Sequence, residues 1–163
     1  MQKKIALLGA AGVGKTSLVR RFVASLFDDR YLTTIGVKVD KKVVPVGAAE
    51  VTLMIWDIAG AEEHFTVPTA YVKGAAGYLL VADGTRPETL GEAAQLKAQI
   101  AHDLGPIPFV VVVNKRDLAD QWRADDTALA SVAEGALTTL ETSAKTGDGV
   151  EDAFARLAAA LIA

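Results

Sequence analysis

Cysteine is absent from this chain of 163 residues. That excludes disulfides, cysteine-ligated zinc, a thiol nucleophile, and prenyl or palmitoyl attachment within these residues. The chain opens Met1-Gln2, so the glycine needed for myristoylation is missing as well. No apolar run reaches membrane-spanning length, and no signal-peptide pattern stands at the N-terminus. Positive charge is not in excess: the formal net charge is −3, which argues against a nucleic-acid footprint. Any affinity for phosphate must therefore be local. The expectation is a soluble, cytoplasmic protein without a lipid anchor of its own. Apolar residues make up 51% and charged residues 23%, which is globular composition and enough for one domain, residues 1–163, with a full core.

Against those absences stands one strong local signal. Gly9-Ala10-Ala11-Gly12-Val13-Gly14-Lys15-Thr16 fits the phosphate-loop pattern G-x-x-x-x-G-K-[ST]. Lys4 to Leu8 reads as a buried strand entering it, and Thr16 to Ser25 as a helix leaving it. Glycines let backbone N–H groups curl around an anion, and the helix N-terminus points a positive dipole end at the same place. Lys15 can reach the β- and γ-phosphates, and the Thr16 hydroxyl can ligate Mg²⁺. A Gly/Ala-rich turn can match this pattern by chance; strand, loop and helix in order favour the phosphate loop.

The rest of the chain alternates strands with helices. Phe27 to Gly36 reads as a polar loop. Strands are expected at Val37 to Val46, Glu50 to Trp56, Tyr78 to Asp83, Pro108 to Asn114 and Leu137 to Ser143. Helices are expected at Pro87 to Ala101, Asp125 to Ala133 and Val150 to Ile162. Asp57 to Pro68 reads as irregular or weakly helical. The strand Glu50 to Trp56 is apolar on both faces, so helices must cover the sheet on both sides. Pro45 puts the preceding strand at or near an edge. Alternation of this kind predicts an α/β fold, doubly wound, with parallel pairing and right-handed crossovers.

Four later segments fall at strand ends, where ligands bind in open α/β sheets. Asp57-Ile58-Ala59-Gly60 places an acid where it can hold Mg²⁺ through water, with the Gly60 N–H near a γ-phosphate. Asn114-Lys115-Arg116-Asp117 offers a carboxylate that can accept from guanine N1–H and its 2-amino group, a donor pair adenine lacks. The lysine stem of Lys115 can lie along the purine. Glu141-Thr142-Ser143-Ala144-Lys145 has backbone N–H groups for the guanine O6, with small Ala144 permitting close approach. Thr34, before Ile35-Gly36, can complete the Mg²⁺ shell and contact the γ-phosphate. Taken singly, each of these also reads as a turn, a charged loop or a solvated surface.

Together, GAAGVGKT, TTIG, WDIAG, NKRD and ETSAK resemble the Ras superfamily of small GTPases over essentially the whole chain. YLTTIGV, the IWD strand end and Tyr71-Val72-Lys73-Gly74-Ala75 resemble the Rab branch most closely. The resemblance implies a phosphate-loop NTPase G domain with a mostly parallel six-stranded sheet and one antiparallel edge strand. It implies a monomeric guanine-nucleotide switch binding GTP or GDP with Mg²⁺, the metal held by Thr16, Thr34 and Asp57. It also implies nucleotide contacts from Gly9 to Thr16, Ser17, Phe27, Tyr31, Thr34, Asp57, Gly60, Asn114, Lys115, Asp117, Ser143, Ala144 and Lys145. Phe27 falls where an aromatic stacks on guanine, and Tyr31 where one closes over the phosphates. An effector, an exchange factor and an activating protein would engage Tyr31–Gly36 and Gly60–Tyr71. Trp56 and Tyr71 match two of three aromatics that Rab proteins present to effectors, with core packing as the plainer reading; Val39 replaces the third.

The departures bear on hydrolysis. Lys15, Thr34 and Gly60 stand where the family acts on the γ-phosphate, but the position of its water-orienting glutamine is Ala61. Glu62, Glu63 and His64 lie nearby; the two acids also suit a helix's first turn. Among the arginines, Arg30 is the nearest in-chain candidate for a finger, while His102 and Trp122 lie away from the motifs. The tail with prenylated cysteines is missing, which fits a bare domain, a truncated chain or a non-eukaryotic (bacterial) relative. Ala61 keeps open a rival, a nucleotide-bound binding module with negligible hydrolysis. A phosphate-loop kinase is disfavoured by NKRD and ETSAK.

Overall fold

Strands without polar breaks form where both faces will be covered. The computed structural model describes residues 1–25, 27, 36–59 and 67–163, and in it six strands build one sheet, β4 and β5 buried along their whole length. They are β1 (Gln2–Leu8), β2 (Val37–Val46), β3 (Ala49–Ile58), β4 (Gly77–Asp83), β5 (Phe109–Asn114) and β6 (Thr139–Glu141). Their order across the sheet is β2-β3-β1-β4-β5-β6. All pairs are parallel except β2 with β3, which run antiparallel with Pro45 opposite Glu50. The edge position expected from Pro45 is what the sheet shows.

Helices α1 (Lys15–Ala24), α2 (Thr69–Val72), α3 (Glu88–Leu104), α4 (Asp126–Ala133) and α5 (Val150–Leu161) follow the expected alternation, α2 being a short addition. The two-residue period of β1 sends Ile5 and Leu7 to one core and Ala6 and Leu8 to the other. On the first face, α1 and α5 pack against the sheet, with Phe22 and Phe154 stacked at 3.9 Å between ring centroids. On the second, α3 contributes Leu90, Ala93, Leu96 and Ile100, joined by Val132 of α4. Each fully buried Leu or Ile stabilises by about 1.5–3 kcal/mol relative to exposure, so the sheet's central strands form a rigid floor. β6 is shorter than the expected Leu137 to Ser143. Leu137 is half exposed and its N–H goes to the Phe109 carbonyl, while the Ser143 N–H turns back to Asp148. Among the described residues, no helix is long and apolar enough to cross a membrane.

Candidate functional site

Parallel pairing brings the C-terminal ends of β1, β3, β4, β5 and β6 to one margin of the sheet. Every motif loop described by the structure leaves from that margin. The loop after β1 enters α1 through Gly14, whose φ of 102° lies in the left-handed region that favours glycine. Space is as restrictive as the dihedral: a Cβ at Gly14 would stand 2.3 Å from Asn114 Nδ2. Among the described residues no side chain caps α1, and the positive end of its dipole faces the loop, an arrangement that suits an anion.

Lys15 is buried, and its ammonium donates to the Gly9 carbonyl at 2.9 Å and the Ala10 carbonyl at 3.1 Å. Burial lowers its pKa from the ordinary 10.5 to about 8, with Asp57 pulling in the opposite direction. The next residue, Thr16, donates its hydroxyl to Asp57 Oδ2 at 2.6 Å. Two metal-ligand candidates separated by 41 positions in the chain thus meet. An all-oxygen pair beside a phosphate loop suits Mg²⁺, a hard cation that keeps several waters.

Asn114 is the joint of the site. From the end of β5, its buried amide donates to the Val13 carbonyl at 3.0 Å. Its oxygen accepts from the Thr142 hydroxyl at 3.0 Å and the Ala144 N–H at 3.3 Å. One side chain therefore ties the phosphate loop to the ETSAK loop. Asp117, exposed, has Oδ1 held by the Ser143 hydroxyl at 2.8 Å, and Ser143 in turn accepts the Thr146 N–H at 3.1 Å. That chain of bonds fixes the Asp117 carboxylate beside the ETSAK loop. Ala144 is buried, and its carbonyl is gripped by Arg21 Nε at 2.7 Å; a second arm of Arg21 donates to the Lys145 carbonyl.

The structure brings Lys15, Thr16, Asp57, Asn114, Lys115, Asp117, Ser143 and Ala144 to this margin. Phe27 is described and stands exposed. Trp56 and Tyr71 are half-buried against the second core, as plain packing would have it, and Val39 is exposed. Tyr31, Thr34, Gly60 and Ala61, with Arg30, Glu62, Glu63 and His64, lie outside the described residues.

Sequence reasoning passed over the turn after β4. Asp83 is fully buried and opposite Asn114 in the register. It accepts the Thr85 N–H at 2.8 Å and hydroxyl at 2.6 Å, and pairs with the Lys115 ammonium at 2.9 Å. Lys115 itself adopts a left-handed φ of 73°, and the ion pair fixes its stem. The signal was present: an acid closing the apolar run YLLVAD, the same cue that singled out Asp57. Trp122, set aside as remote, lies against Gly84 so closely that a Cβ there would come within 2.1 Å of the ring.

Comparison with known proteins accords with this geometry. A model of the Ras family matches residues 4–163. The Ras-related protein SEC4 of Saccharomyces cerevisiae is 36% identical over 156 residues, 95% of this chain and 73% of that protein. Human Ras-related protein Rab-4B is 38% identical over 162 residues, 98% of this chain and 76% of its own length. Mouse Ras-related protein Rab-25 is 39% identical over 153 residues, 93% and 72% respectively.

Proposed function

The chain belongs to the Ras family, and from that premise we propose how its residues divide the work. It is a Rab-like, GTP-binding molecular switch, and the family's members are GTPases that bind GTP or GDP, generally with Mg²⁺. In our reading residues 1–163 form a single, monomeric, cytoplasmic G domain. Asp117 reads the guanine through N1–H and the 2-amino group. Lys115 lies along the base, its ammonium kept by Asp83. Backbone N–H groups of the loop from Gly9 to Thr16 and the Lys15 ammonium hold the phosphates.

Thr16 and Asp57 would hold Mg²⁺, with Thr34 joining them in the triphosphate form. A cation held by these oxygens would supply positive charge to offset that of the nucleotide phosphates. Thr34 and Gly60 make the contacts that distinguish GTP from GDP, which orders Tyr31–Gly36 and Gly60–Tyr71 for an effector, an exchange factor or an activating protein.

Hydrolysis by the isolated chain is slow, because a methyl group at Ala61 cannot orient a water, and positioning supplies most of the catalysis in phosphoryl transfer. A partner must then bring the missing groups. The observation that carries the reading is the Asn114 joint, which sets a base-reading loop and a phosphate loop against each other. The test identifies the co-purifying nucleotide, then follows single-turnover loss of γ-phosphate. Tight ATP binding would end the reading. Turnover faster than about 10⁻² s⁻¹, the scale for an arginine acting in cis, would end its slow-hydrolysis part. Ala61 also favours a second reading, a binding module that keeps GTP intact; no detectable γ-phosphate loss would select it.

A further inference from the structure

Arg86, in the turn between β4 and α3, reaches across to the phosphate loop. Its Nη1 donates to the Ala11 carbonyl at 3.0 Å. Its Nε reaches Glu88 Oε1 at 3.3 Å, and Nη1 also stands 4.0 Å from the Asp83 carboxylate. The Glu88 pair is exposed and weak, so it does not explain where the guanidinium rests.

The backbone beneath it is unusually well held. The Arg86 N–H donates to the Asp83 carbonyl at 3.0 Å, and the Arg86 carbonyl accepts the Thr89 N–H at 3.0 Å and hydroxyl at 2.7 Å. Two residues earlier, Gly84 is pressed under Trp122, donates to the Asn114 carbonyl at 3.0 Å and accepts the Arg123 N–H at 2.7 Å. The turn is thus bolted to the base-reading loop, and its arginine reaches across to the phosphate loop.

We propose that Arg86 is a positioning residue for nucleotide phosphates, acting through the Ala11–Gly12 peptide. That peptide is planar: its carbonyl takes the guanidinium, and its other end is the Gly12 N–H. A cation on the oxygen draws electron density from the peptide and strengthens its N–H as a donor, since linked hydrogen bonds polarise one another. It also fixes the plane of a flexible unit, Gly12 having a left-handed φ of 77°. The inference rests on the assignment of loop N–H groups to phosphate; it adds that one of them is tuned from outside the loop by Arg86. Arg86 acts here through the peptide and not as a finger; Arg30 lies outside the described residues.

The test compares the unaltered protein with Arg86→Ala, Arg86→Lys and Arg86→Gln. Calorimetry gives the Kd of GDP, a non-hydrolysable GTP analogue and GMP, with nucleotide-free melting temperature as the folding control. Loss of one charge-assisted hydrogen bond is expected to raise Kd for GDP and the analogue about tenfold in Arg86→Ala. GMP should be unaffected, and Arg86→Lys, which keeps the charge, should recover more than neutral Arg86→Gln. A uniform loss for all three ligands, or equal recovery by Lys and Gln, would make Arg86 merely structural and overturn the proposal. No loss would overturn it too. Loss confined to the GTP analogue would mean direct contact with the third phosphate, against the route through the peptide. If the unaltered protein bound neither GDP nor GTP, the nucleotide reading itself would fall, a result visible before any variant is made.

Discussion

Replacing Asn114 by alanine tests the joint on which the site depends. The change deletes a donor to Val13 and an acceptor for Thr142 and Ala144. All of these groups lie in the buried interior beside Gly14. Stranding a buried polar group costs about 1–3 kcal/mol. The Thr142 hydroxyl can rotate to a new partner and water can enter the vacated volume, so the sum is expected near 2–4 kcal/mol rather than three full penalties. A domain of this size has roughly 5–15 kcal/mol in hand, so the variant still folds. Its melting temperature should fall by roughly 5–15 °C, at about 2–4 °C per kcal/mol.

The functional loss should be larger than stability alone implies. With the tie gone, base loop and phosphate loop no longer hold a common geometry, and GDP affinity should drop at least about tenfold. Asn114→Asp sharpens the assay. It keeps an acceptor for Thr142 and Ala144 but turns an oxygen toward the Val13 carbonyl, so its damage should fall on the phosphate side. Scanning calorimetry with and without GDP, followed by titration, reads both quantities. A fall in melting temperature below about 2 °C together with unchanged GDP affinity would refute the reasoning.

Three further outcomes are expected. Asp117→Ala removes two charge-assisted bonds to guanine and should weaken GDP binding at least about a hundredfold, with ATP indifferent; titration of both nucleotides checks it. Lys15, lowered to about 8 by burial from 10.5 in the unfolded chain, leaves the unfolded state with more bound protons between those values. Stability without nucleotide should therefore rise as pH climbs through that window. Phosphates restore the charged form, so GDP binding near about pH 9 should take up a proton. Equal calorimetric heats in buffers of different ionisation enthalpy would contradict this. Finally, isolated turnover should lie at or below about 10⁻⁴ s⁻¹, and Ala61→Gln should raise it severalfold in single-turnover assays.

Most of the architecture is written in local patterns. β4 and β5 are uninterrupted apolar runs because both faces are covered, and β2 carries its edge marker in Pro45. The meeting of Thr16 with Asp57, and of Asp117 with Ser143, follows from their places at one margin: Thr16 in the first turn of α1, Asp57 near the end of β3, and Asp117 and Ser143 in the loops after β5 and β6. What could not be read is tertiary in origin. Trp122 has no neighbour of its own period, and its role exists only because Gly84, 38 positions earlier, leaves room for its ring. Arg86 looks like a solvated charge beside Glu88 until the turn and the phosphate loop are placed side by side. Lys115 reads as a surface cation unless Asp83 is known to stand beneath it. β6 misled in length because only Thr139 to Glu141 hold register with β5 and the Ser143 N–H turns back to Asp148.

The sheet's outermost strand carries a consequence for how copies of this protein meet. β2 is ten residues long and leaves Val39 and Val43 exposed, while β6 at the opposite margin has only three residues. An unpaired strand rim is a template along which a second copy can zip, edge to edge, into an open-ended stack. Lys38 and Lys41 are exposed on that strand, and Pro45 has no N–H to offer. Two β2 strands brought together would set lysine against lysine and reach a missing donor before the register closed. The same ten residues that complete the fold thus carry features that disfavour edge-to-edge pairing.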